Sequence, residues 1–207
     1  MVDGQIRTTD VTSHSVLSAF LSVPRETFVP DSMKALAYID EDLQVAPGRY
    51  LMDPSPLAKL LQLAEIGRED VVLEIGAGTG YVSALLARLA GSVVAVESDE
   101  QLAATAQANL AKVGAANVKV VHGPLEAGYA KDAPYNLIFF SGAVENVPEA
   151  LFDQLHEVGR VIAVVGRGHS ARAHVFVKAA GSVSTSSVFN ASIKLLPGFE
   201  KAREFVF

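Results

Sequence analysis

The chain has 207 residues, 50% of them hydrophobic, enough for one substantial core. Charged residues make up 19% and the formal net charge is -6, which argues against an electrostatic grip on nucleic acid or an anionic membrane. Cysteine is absent, so disulfides, thiolate metal sites and a cysteine nucleophile are excluded. The start, "MVDGQIRTTDVTSH", has no apolar stretch before a small-residue cleavage site, and no run of about 18 apolar residues occurs anywhere. A soluble, cytoplasmic protein is expected.

In chain order, two regions emerge. The first, residues 1–66, reads as a helical, loop-rich extension on the substrate side. Val16, Leu17, Phe20 and Leu21 form a helical stripe that the prolines of "VPRETFVPD" terminate. A second helix is predicted at "DPSPLAKLLQLAEI", where Asp53 or Ser55 can cap and proline suits the first turn.

The second region, residues 67–207, alternates β-branched runs with helical patterns. "VVLEI", Tyr81 to Ala90, "SVVAVE", Glu100 to Val113, "NVKVV" and "YNLIFF" predict an α/β unit with a mainly parallel sheet and helices on both faces. After a helix near Pro148 to Glu157, the runs "RVIAVV", "AHVFVKA", "VSTSSVFNASI" and "REFVF" predict antiparallel strands at the C-terminal end.

Gly76, Gly78 and Gly80 follow a buried strand and lead into a helix, where absent Cβ atoms let a ligand approach the backbone. Glu97 lies 21 residues past Gly76, at the end of the next strand, where a carboxylate can accept the hydroxyls of a ribose. A dinucleotide loop reads G-x-G-x-x-G; here the third glycine comes one residue early and Tyr81 takes its place, so the match to a nicotinamide site is poor.

Glu74 through Gly80, E-x-G-x-G-x-G, resembles the first motif of class I S-adenosylmethionine-dependent methyltransferases. With the flanks included, the likeness narrows. "VPRETFVP", the Ala37-Tyr38 pair, the spacing from Gly48 to Pro54, "NVKVVHG" and "YNLIFFSGAVENVPEALFDQLHEVGRVIAVVG" resemble the protein-L-isoaspartate O-methyltransferase family over roughly residues 16–166, and the resemblance is expected to extend into the tail.

The resemblance implies a Rossmann-like methyltransferase that uses S-adenosyl-L-methionine, releases S-adenosyl-L-homocysteine, and acts on proteins or peptides carrying isoaspartate. It assigns Glu74, Gly76, Ala77, Gly78, Gly80 and Tyr81 to the cofactor loop, and Glu97 with Ser98 to the ribose. Gly123, Pro124 and Leu125 fall on the adenine side, and Ser141 with Gly142 on the loop beside cofactor and substrate. Pro124 stands where the family usually has Asp.

The substrate loop departs further. The family pattern G-Q-T-I-S-Q-P places a serine against the substrate carboxylate, whereas this chain reads "GRYLMDP", with Met52 at the serine and Asp53 at the glutamine. Met52 offers only a thioether, and Asp53 would repel an isoaspartyl carboxylate. Met52, Asp53 and Ser55 are therefore the candidate substrate-loop residues, against a structural reading in which Met52 fills an apolar gap and Asp53 only caps the helix. Other readings are the same fold with another acceptor, a non-catalytic cofactor-binding protein and, least favoured, a nicotinamide oxidoreductase. His122 reads as a turn histidine, His169 and His174 lack the company of a metal site, and Arg160, Arg167, Arg172 and Lys178 read as solvated sheet edge or loop. No metal is expected.

Overall fold

The computed structural model describes residues 1–200. Its centre is a seven-stranded sheet of β3 (Val71–Ile75), β4 (Ser92–Glu97), β5 (Val118–His122), β6 (Tyr135–Val144), β7 (Leu155–Val165), β8 (Arg172–Ala179) and β9 (Ser182–Asn190), in the order β5-β4-β3-β6-β7-β8-β9. The first five are parallel, and β8 and β9 join antiparallel. The run "REFVF" lies outside the described residues.

The two sides of the sheet are covered differently. Four helices, α1 (His14–Ser22), α2 (Pro54–Leu63), α3 (Tyr81–Leu89) and α4 (Glu100–Lys112), share one apolar cluster with Val72, Leu137, Phe139 and Ile162. The opposite cluster, around Leu73, Ile75, Ile138 and Phe140, is closed by the short α5 (Glu149–Phe152), the 3-10 turn at Leu125–Ala127, and Leu196 with Phe199 of the C-terminal segment. With no long helix on that side among the described residues, side chains from a loop complete the core.

Local chemistry accounts for the helix starts. Ser13 caps α1, Asp53 caps α2 with proline in its first turn, and Asp99 caps α4. The stripe on α1 differs from expectation: Val16, Leu17, Ala19 and Phe20 are buried, whereas Leu21 is 67% exposed. The expected helix near Pro148 to Glu157 shrinks to four residues because Leu155 pairs with Tyr135 and β7 begins there.

A hairpin of β1 (Leu43–Ala46) and β2 (Arg49–Leu51) interrupts what the sequence presents as loop. Its turn needs Gly48, whose φ of 69° is strained for any side chain. The hairpin lays β2 across the glycine loop. Arg160, expected at a solvated edge, instead donates to the carbonyls of Ala64 and Glu65 and pairs with Asp70, tying β7 to the loop before β3. No helix among the described residues is long and apolar enough to cross a membrane.

Candidate active site

Strand order reverses direction between β3 and β6, and in open α/β sheets the crevice at such a switch point is where ligands bind. The loop after β3 carries Gly76, Gly78 and Gly80, all with positive φ, and the end of β6 carries Ser141 and Gly142. The Gly76 and Ala77 amides both donate to the Val96 carbonyl, which holds the loop over the end of β4 and brings Gly78 to Glu97.

Glu74 is fully buried and accepts hydrogen bonds from the hydroxyls of Ser83 and Ser141, the latter at 2.6 Å. It thus joins α3 to the end of β6 beneath the crevice. Burial pushes its carboxyl up to about 7, with the two serine hydroxyls opposing, Glu97 adding, and Arg49 opposing.

Glu97 is also fully buried, and its oxygens are saturated. Oε2 accepts from the Gly78 amide at 2.7 Å and from Arg49 Nη2 at 2.6 Å; Oε1 accepts from the Asp99 amide at 3.0 Å and from Arg49 Nη1. A carboxylate offers about four acceptor positions, and this one spends them on two amides and a guanidinium, with the Ser98 hydroxyl also donating to Oε1 at 3.5 Å. Arg49, in the second position of "GRYLMDP", was not singled out from sequence. The signal was there, since the family pattern has glutamine at that position.

The space above the glycines is occupied as well. A Cβ built on Gly76 would come 2.7 Å from Leu196 Cδ2, and one built on Gly142 would come 2.7 Å from Leu196 Cγ. The two flanks of the crevice retain about 10 Å³ each, room for about one water, whereas small-molecule sites typically span about 300–1,000 Å³. A cavity of about 700 Å³ lies to one side, between Phe28–Lys34 and α4, and touches the glycine loop only at Thr79. The donor types suit an S-adenosyl ligand, but in this conformation the residues do not leave room for one.

The remaining candidates are scattered around this centre. The Tyr81 side chain turns away from the loop into the core, edge-on to Phe20 and Phe28 and 4.9 Å beneath the Arg25 guanidinium, where burial pushes its hydroxyl up to about 12. Leu125 is buried in the core, Pro124 is exposed, and the Gly123 amide donates to the Glu97 carbonyl. Ser98 is exposed, and its carbonyl lies 3.1 Å from His122 Nε2.

In "GRYLMDP", Met52 is buried at 3% exposure beside Ser141 and Gly142. Asp53 accepts from the Ser55 amide at 2.9 Å as the cap of α2, and Ser55 donates its hydroxyl to Asp40. Burial is the main cause that pushes the Asp53 carboxyl up to about 6, with the Ser55 amide opposing and Asp40 and Asp42 adding.

The loop hangs on Arg25, whose side chain is wholly buried and donates from Nε to the Ala37 carbonyl at 2.6 Å and from Nη2 to the Met52 carbonyl at 2.8 Å. Arg25→Met is expected to lower the unfolding free energy by about 2–6 kcal/mol, since two buried carbonyls each lose a partner worth about 1–3 kcal/mol. Urea denaturation measures this, and a change below about 1 kcal/mol would remove Arg25 as the anchor of the loop.

A parallel sheet with its crevice at a glycine loop, a buried acid at the end of the next strand and antiparallel closing strands is the architecture of class I methyltransferases. The family model for protein-L-isoaspartate(D-aspartate) O-methyltransferase (PCMT) matches residues 1–195. A protein-L-isoaspartate O-methyltransferase from Methanoculleus marisnigri is 39% identical over 89% of this chain and 84% of its own length. One from Methanoregula boonei is 42% identical over 80% of this chain and 76% of its own.

Among solved structures, a protein-L-isoaspartate O-methyltransferase superposes with a TM-score of 0.81 at 30% identity, covering 93% of this chain, which spans 63% of that one. A Plasmodium falciparum structure solved in complex with S-adenosyl-L-homocysteine shares the fold, with a TM-score of 0.76 at 17% identity over 90% of this chain and 91% of that one. The chain belongs to the protein-L-isoaspartate O-methyltransferase family.

Proposed function

We propose that the chain is an S-adenosylmethionine-dependent methyltransferase acting on the isoaspartyl carboxylate of proteins or peptides. The observation that carries this reading is the family match over residues 1–195, which includes the glycine loop, Glu97 and the substrate loop. S-adenosylmethionine would supply the methyl group. The acceptor, an ionised carboxylate, is already nucleophilic, so the chain's own work is positioning and exclusion of water rather than proton removal.

The site residues divide that work. Glu97 is the acid for a ribose, its oxygens held by Arg49 and by the Gly78 and Asp99 amides, and Glu74 with Ser141 braces the end of β6. Residues 1–66 act as a cap on the substrate side, with Arg25 holding the loop at Met52. Met52 and Asp53 are the acceptor-side residues of that loop, and Met52 gives an isoaspartyl carboxylate no hydroxyl.

Transfer of labelled methyl to isoaspartyl peptide, with the normal aspartyl peptide as control, tests the reading. Met52→Ser is expected to raise kcat/KM on the isoaspartyl peptide roughly 10- to 100-fold, the value of one hydrogen bond to a charged group. Asp53→Asn keeps the helix cap while removing the like charge, and a further increase is expected. Equal transfer to both peptides by wild type and variants would rule out isoaspartate as the acceptor.

A further inference from the structure

We propose that Arg49 and Leu196 are an internal occupant of the cofactor crevice, so that an S-adenosyl ligand binds only by displacing them. This rests on the reading of the crevice as an S-adenosyl site. Two independent features meet here. Each oxygen of Glu97 already accepts from one backbone amide and from one nitrogen of Arg49, which leaves no acceptor position for a pair of ribose hydroxyls. Separately, the volume that Gly76 and Gly142 free by lacking a Cβ is filled by the methyl groups of Leu196.

Both occupants are built in. The β1-β2 hairpin delivers Arg49, and its guanidinium is held by two parallel bonds to Glu97, a geometry that adds strength and direction. Leu196 is delivered by the segment after β9. Its amide donates to the Ala143 carbonyl at 2.8 Å, the Ala143 amide donates to the Lys194 carbonyl at 2.9 Å, and Phe199 packs edge-on against Phe140. Lys194 also lies over the ring of Tyr50, next to Arg49, so the two plugging segments touch across the crevice. Leu196 stands one residue beyond the family match.

The energetic consequence is a lowered apparent affinity. If the open form is about 1–10% populated, the apparent dissociation constant rises by roughly 10- to 100-fold, and removing the occupant recovers that factor. Arg49→Gln removes the charge and one of the two parallel bonds while keeping a donor for Glu97. Leu196→Ala vacates the space above Gly76 and Gly142 without altering a polar group.

Calorimetric titration of S-adenosyl-L-homocysteine into wild type, both single variants and the double variant, each checked for a cooperative thermal transition, decides the matter. Weak wild-type binding that tightens roughly 10-fold or more in each single variant, and further in the double, is the expected result. Wild-type binding as tight as in the variants would overturn the occupant while leaving the cofactor reading intact. No binding by any of the four folded proteins would overturn both.

A measurement on wild type alone covers the case of a variant that fails to fold. Saturating S-adenosyl-L-homocysteine should speed hydrogen exchange at the Leu196 and Ala143 amides by roughly 10-fold or more, because the segment they anchor is pushed off β6. Binding with unchanged exchange at both amides would show that the ligand enters without moving Leu196, and the proposal fails.

Discussion

Glu97→Ala should destabilise the protein by about 3–5 kcal/mol, the cost of leaving one member of a buried ion pair without its partner. Arg49, at 6% exposure, has no other acid within ion-pair distance among the described residues, so its guanidinium would stay desolvated and uncompensated unless β2 moved. The Gly78 and Asp99 amides lose their acceptor in the same variant, which adds to the loss. Urea denaturation of Glu97→Ala, Arg49→Ala and the double variant completes a thermodynamic cycle, and a coupling of about 1.5–3 kcal/mol is expected between residues in direct contact. A single-variant loss under about 1 kcal/mol with no coupling would mean that the pair is open in solution and that Glu97 faces water rather than Arg49.

Glu74 should make stability fall as pH rises through neutrality. Its folded carboxyl, at about 7, lies above the ordinary 4.5, so the folded state holds the proton more tightly than the unfolded one. The associated stabilisation is fully present below about 4.5 and is lost as pH climbs through about 7. Glu74→Gln removes that dependence while keeping the hydrogen-bonding pattern of the protonated acid: one group that donates to a serine oxygen and one that accepts from the other hydroxyl.

Relative to wild type, Glu74→Gln is therefore expected to gain on the order of 3 kcal/mol between pH 5 and pH 9, from the gap between the two values. Other titrating groups cancel in the difference to the extent that the substitution leaves them alone. Unfolding free energies of both proteins at the two pH values give the answer, and a constant difference would show that Glu74 is ionised throughout or that its charge is compensated.

How much of this could be read without coordinates differs from element to element. The strand from Val71, the glycine loop, the helix from Tyr81 and the strand ending at Glu97 were legible because period-2 and period-3.6 patterns and the turn glycines are local signals, written within a few residues of the structure they specify. The cap at Asp53 and the antiparallel finish of the sheet were legible for the same reason. Leu21 and the short α5 were not, since exposure of one stripe residue and capture of Leu155 by Tyr135 are settled by neighbours distant in sequence.

The site divides along the same line. Sequence by itself determined the family and put the glycine loop after one strand and Glu97 at the end of the next, because motif spacing on a β-loop-α unit dictates where those groups stand. Only the tertiary structure decided what fills the crevice. Arg49 meets Glu97 across 48 residues, and Leu196 reaches Gly76 from the far end of the chain. Neither contact has a local pattern: each exists because the hairpin at Gly48 and the segment bound to Ala143 converge on one switch point, and there a charge takes the buried acid while an apolar side chain takes the space the glycines leave.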